Sequence, residues 1–106
     1  MDADRDVATV LVALADPTRR QLLTVLVEAG RASATTLAAR LAVSRQAVVK
    51  HLTVLDDAGL VTAARVGRQV LYRVRSDPLD ASARWMADLA TAWERRLETI
   101  KRATDG

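Results

Sequence analysis

The chain has 106 residues, 50% of them apolar and 27% charged, with no cysteine and a formal net charge of +3. That length suits one domain with a modest core, and the composition excludes disorder, a disulfide scaffold and any thiolate metal site. No apolar run reaches the ~20 residues of a membrane span, and "MDADRDVATV" is acidic where a signal peptide is basic, so the expectation is a cytoplasmic protein.

Val7, Val10, Leu11 and Leu14 recur at helical spacing and predict a first helix over 4–14. In "ADPTRRQLLTVLVEAG", Asp16 is a cap and Pro17 fits the first helical position. Leu22, Leu23, Leu26 and Val27 form the buried stripe, and Gly30 stops the helix. Arg19 and Arg20 fall in the first turn, against the helix dipole, where the sequence offers only an ion pair or a phosphate contact to explain them. "SATTLAARLAV" predicts a short third helix capped by Ser33 or Thr35, with Leu37 and Leu41 inward. Three residues later Ser44 caps a fourth helix, whose Val48, Leu52 and Leu55 share one face and which ends at Ala58–Leu60.

The period then changes. "LVTAARVGRQVLYRV" predicts two strands around a tight turn at Val66-Gly67-Arg68, with Val70, Tyr72 and Val74 alternating against Leu71, Arg73 and Arg75. "SDPLD" breaks the strand and begins a last helix over about 78–102. The expected fold is mainly α with a small β-hairpin, in the order α-α-α-α-β-β-α. It forms a single domain with a helix-turn-helix over about 34–58 and a wing over about 60–75.

Charge patterning points to the partner. Residues 31–75 hold seven Arg and one Lys against Asp56 and Asp57, a net of +6, whereas both flanks are slightly acidic. From Arg45 to Leu55 there is no carboxylate, although a merely solvated helix face carries both signs. Such a helix suits the major groove of DNA, which is walled by phosphates and presents donors and acceptors on its base edges. Arg45 and Lys50 can reach guanine acceptors, Gln46 can pair bidentately with adenine, and Val49 can touch a thymine methyl. Ser44 at the positive helix end and His51 beside the buried stripe are candidates for phosphate contact. At the hairpin tip Arg65 and Arg68 are candidates for phosphates or a minor groove, with Gln69 and Arg73 weaker candidates for the same surface.

"ADPTRRQLLTVL", "LAARLAVSRQAVVKHLTVLDDAGLV" and "GRQVLYRV" resemble the ArsR-type (ArsR/SmtB) winged helix-turn-helix repressors over about three fifths of the chain. The resemblance implies a homodimeric bacterial transcription regulator that binds an imperfect palindrome near promoters, usually represses, and releases DNA on effector binding. Metal-sensing members carry cysteines before the recognition helix, or His and carboxylate ligands on the terminal helix. Here the first have no counterpart and the terminal helix has no His, so no metal and no cofactor is expected. "WMADLATAWERRLETIK" instead resembles a metal-independent subgroup with Trp on the last helix.

Leu79, Met86, Ala90, Trp93, Leu97 and Ile100 form a heptad-like seam on that helix, widened by Trp85 and Leu89. A stripe this wide calls for a second copy, so the first and last helices are expected to build a two-fold dimer through Val7, Leu11, Met86, Ala90, Trp93, Leu97 and Ile100. Trp85 and Trp93 are the candidate contacts for a small-molecule effector near the dimer interface, its identity unknown. The competing readings are a winged-helix module that docks on protein, and a metal-responsive repressor with an atypical site. No catalytic residues are assigned, since one His and no nucleophile or phosphate-cradling motif speak against an enzyme. Three scattered aromatics offer RNA no stacking platform.

Overall fold

The computed structural model describes residues 3–105. In chain order they form α1 (Ala3–Leu14), α2 (Pro17–Ala29), α3 (Ala34–Leu41), α4 (Arg45–Asp57), β1 (Val61–Val66), β2 (Gln69–Val74) and α5 (Asp77–Asp105). The order is the expected one, with the last helix longer than predicted at both ends.

Local chemistry sets most boundaries. Asp16 accepts hydrogen bonds from the amides of Thr18 at 2.7 Å and Arg19 at 3.3 Å, and Pro17 follows it. Ser33, rather than Thr35, caps α3 by accepting from the Thr36 amide, and Ser44 caps α4 by accepting from the Ala47 amide. These hydroxyl and carboxylate oxygens satisfy amides that lack an intrahelical partner. At the end of α4 the amide of Leu60 donates to the Leu55 carbonyl and that of Gly59 to the Asp56 carbonyl, both at 2.9 Å. This Schellman arrangement requires a left-handed residue, supplied by Gly59 at φ +74°.

The turn between α3 and α4 places Ala42 in the same left-handed region, at φ 55°, while the Val43 amide donates to the Ala38 carbonyl. A Cβ is strained there. Ala42→Gly is therefore expected to stabilise the chain by about 0.5–1 kcal/mol, raising Tm by roughly 4 °C in a thermal melt at fixed concentration. A lower melting point would show that the turn carries no strain.

The core lies where α1 to α4 meet the hairpin: Val10, Leu22, Leu26, Leu37, Val48, Leu52, Leu55, Leu60 and Val61 are buried. Each large aliphatic side chain removed from water contributes about 1.5–3 kcal/mol, and together they fix the angle of α4. Val27 departs from the predicted stripe and is 65% exposed. It lies 100° round α2 from Leu26, beyond the cover that β2 provides. The strands pair antiparallel from Val61↔Val74 to Val66↔Gln69, leaving Gly67-Arg68 as a two-residue turn. Only Gly67 has positive φ, at +63°, which fits a type II′ turn. Ala32 adds a bridge to the hairpin by exchanging both backbone hydrogen bonds with Tyr72, a pairing no periodic run announced.

α5 packs on α1 with the side of the helix that carries Pro78, Ser82, Trp85 and Leu89. Ser82 is buried, and its hydroxyl donates to the Pro78 carbonyl. From Ala90 onward every described residue of α5 is exposed. The chain measures 68 × 29 × 21 Å, with a radius of gyration of 18.4 Å where a compact chain of this length has about 13 Å. The excess is the far half of α5, which no part of its own chain covers.

Candidate nucleic-acid interface

α4 divides its residues by face. Val48, Leu52 and Leu55 are buried, whereas Arg45, Gln46 and Lys50 are exposed along its N-terminal half. Val49 and His51 are half-buried between these faces. Ser44 is exposed beside the positive end of the helix dipole, with its oxygen already accepting from Ala47. Asp56 and Asp57 sit at the opposite end, three turns away.

The hairpin brings its tip to this helix. Arg45 and Val49 share one groove of about 480 Å³ with Arg68, Gln69, Val70 and Tyr72, closed on its third side by Ser33, Thr35 and Thr36 of the α3 start. No carboxylate lines it. Two arginines from distant parts of the sequence thus face one space, with hydroxyls and an amide between them: hydrogen-bond donors for a polyanion and no like charge to repel it. Gln46 and Lys50 lie outside that lining, on the exposed face of the same helix, and Arg65 is exposed on β1 opposite Val70. Arg73, a weaker candidate, lines a different groove with Val27, Thr62 and Arg75 on the other face of the hairpin. Arg68→Ala is accordingly expected to weaken DNA binding and lower the log–log salt slope by about 0.9, while Arg73→Ala leaves both near wild type. Fluorescence anisotropy over a salt series reads this. Equal losses for the two variants would contradict the division.

For Arg19 and Arg20 the sequence offered only an ion pair or a phosphate contact; Arg19 makes an ion pair with Asp16 at 3.8 Å, and the structure adds a larger role for both. Arg19 Nε donates to the Ala13 carbonyl at 2.6 Å and Nη2 to the Val12 carbonyl at 3.1 Å, while Arg20 Nη1 donates to the Leu14 carbonyl at 2.6 Å. The two guanidiniums cap the carboxyl end of α1, whose negative dipole end outweighs the unfavourable start of their own helix. Arg19 Nη1 also lies 3.3 Å from His51 Nδ1. A guanidinium only donates, so Nδ1 is the acceptor in this contact. His51 is thereby tied to the α1–α2 corner. Partial burial pulls the Asp16 carboxyl upward there, but the Arg19 and Thr18 amides and the Arg19 charge outweigh it, so it titrates below its ordinary value.

The residues expected at a dimer interface fall into two groups. Val7 is 4% exposed and is covered by its own chain, chiefly between α1 and α5. Leu11, Met86, Ala90, Trp93, Leu97 and Ile100 are all exposed, Trp93 by 61% and Leu97 by 64%. The two tryptophans therefore part company: Trp85 faces its own domain and Trp93 faces out. Among the described residues no group of three His, Cys, Asp or Glu side chains could hold a metal ion, and no helix is long and apolar enough to cross a membrane.

Comparison with known proteins gives a consistent answer. A family described as a helix-turn-helix domain matches residues 14–63. An HTH-type transcriptional regulator of Bacillus subtilis, YuzN, itself uncharacterized, is 38% identical over 85 residues, spanning 74% of this chain and 90% of that protein. The solved structure of an ArsR-like transcriptional regulator from Rhodococcus sp. RHA1 is 43% identical, covers 92% of both chains and superposes with a TM-score of 0.82. A homodimeric winged helix-turn-helix DNA-binding domain from Mycobacterium bovis, a possible ArsR-family regulator, is 28% identical with a TM-score of 0.67, covering 81% of this chain and 80% of that one. With this fold, this charge distribution and these relatives, the chain belongs to the ArsR family of winged helix-turn-helix transcriptional regulators.

Proposed function

We propose that this DNA-binding regulator acts as a cytoplasmic homodimeric repressor that binds a palindromic promoter site and acts by binding alone, without catalysis. The observation that carries the reading is the carboxylate-free groove in which Arg45 and Val49 of α4 meet Arg68 and Gln69 of the wing. α4 enters the major groove by its N-terminal end, where Arg45, Gln46, Val49 and Lys50 read base edges. Ser44, His51, Arg65, Arg68 and Gln69 hold phosphates or the adjacent minor groove, setting the register of the helix. The first and last helices pair two copies, so that two recognition helices fall one helical turn apart, about 34 Å. Repression follows from occupancy: a protein lying across two successive grooves of a promoter excludes the polymerase.

The test is a comparison of one operator with its single-base variants. Arg45→Ala is expected to reduce discrimination by about 1–3 kcal/mol at one base pair per half-site and to leave the other positions unchanged. A uniform loss over all sequences would assign Arg45 to the phosphates and remove it from readout.

A further inference from the structure

A second cavity, of about 530 Å³, opens on the side of the molecule where α1, the end of α4 and the start of α5 converge. Its size is that of a small-molecule site, for which about 300–1,000 Å³ is usual. The floor is apolar, with Val10, Ala81 and Trp85 in the lining. Asp6, Asp57 and Asp77 come to it from three different helices, and no Lys, Arg or His lines it among the described residues. Asp77 shares its charge with Arg75 at 3.6 Å, but both side chains are exposed and the contact is screened. The cavity is therefore hydrophobic in a negative field, beside an indole whose face attracts cations.

We infer that this cleft binds a small organic cation with an aromatic or aliphatic body, an amine-bearing effector, and that occupancy is felt at the recognition helix. Apolar walls bury the body while carboxylates and the indole hold the ammonium. The link to α4 is short. Ala58 and Gly59, which end that helix, line the cleft, and a Cβ on Gly59 would stand 3.3 Å from Pro78 of α5. A ligand here braces the end of α4 against α1 and α5 and changes the angle at which the helix is presented. The binding site stands independently of the DNA reading; its coupling to operator affinity rests on that reading.

Calorimetric titration of the purified chain with naphthylethylamine, naphthylethanol and naphthylpropionate tests the site. The amine is expected to bind about tenfold more tightly than the alcohol, with the carboxylate weakest. Amide shifts in NMR should centre on Thr9, Gly59 and Ala81. The double variant Asp57→Asn with Asp77→Asn should lose about tenfold for the amine and little for the alcohol. Equal binding of amine and alcohol in the wild type, which needs no variant to fold, or shifts centred elsewhere, would overturn the site. Operator affinity measured with and without the amine tests the coupling. A change in the wild type that the double variant loses supports it, and no change at saturating amine overturns it while leaving the site in place. A chain that binds the amine and no DNA would overturn the repressor reading alone.

Discussion

Leu97→Glu is expected to convert the chain to a monomer and to cut operator affinity by about 10²–10⁴-fold, the advantage that linking two half-site contacts confers. Leu97 is 64% exposed within its own chain and lies on a seam with Trp93 and Ile100. In the proposed dimer a two-fold axis brings each seam onto its copy, so one substitution places two carboxylates in an apolar seam, where each loses hydration and repels the other. Because Leu97 contributes nothing to the core around Leu22, Leu37 and Leu52, the circular dichroism spectrum should stay close to wild type. Light scattering after size exclusion and anisotropy with operator DNA read the two consequences. A dimer that survives this change would mean the seam is not the interface.

Arg19→Ala should be the most damaging change at a charged residue, costing about 2–3 kcal/mol and lowering Tm by roughly 10 °C at fixed protein concentration. The side chain holds the Val12 and Ala13 carbonyls at the end of α1 and touches His51 on α4, so its loss unties three helices at one corner. Arg19→Lys should recover only part of this, since a single ammonium cannot span acceptors set out for a planar fork. A drop of less than about 2 °C for the alanine variant would show that water replaces the guanidinium at these carbonyls.

The helices were readable where their determinants are local. Asp16, Ser33, Ser44, Gly30 and Gly59 act within four or five residues of their own position, and the 48, 52, 55 face of α4 follows from helical spacing alone. The cluster of polar residues on α4 was readable for the same reason. What escaped depends on how elements meet. Arg19 looked misplaced because its partners belong to the preceding helix, and only the angle of the Ala15–Asp16 corner brings them within reach. The Ala32–Tyr72 bridge joins a loop to a strand forty residues on, through backbone atoms that leave no mark on side-chain pattern. Val27 continued the α2 stripe on paper, but the hairpin covers Leu26 and stops. Trp85 and Trp93 read as one apolar stripe until packing on α1 claimed the first and left the second outside. The convergence of Arg45 with Arg68 was equally hidden, since it needs the wing folded back along α4.

Selection of fragments from genomic DNA by the purified chain, followed by hydroxyl-radical footprinting of the recovered sites, bears most directly on DNA recognition by a paired scaffold. The expected result is an inverted repeat whose two half-sites are protected about 10 base pairs apart, centre to centre. Fragments without a shared motif, or a motif with a single unrepeated half, would contradict it.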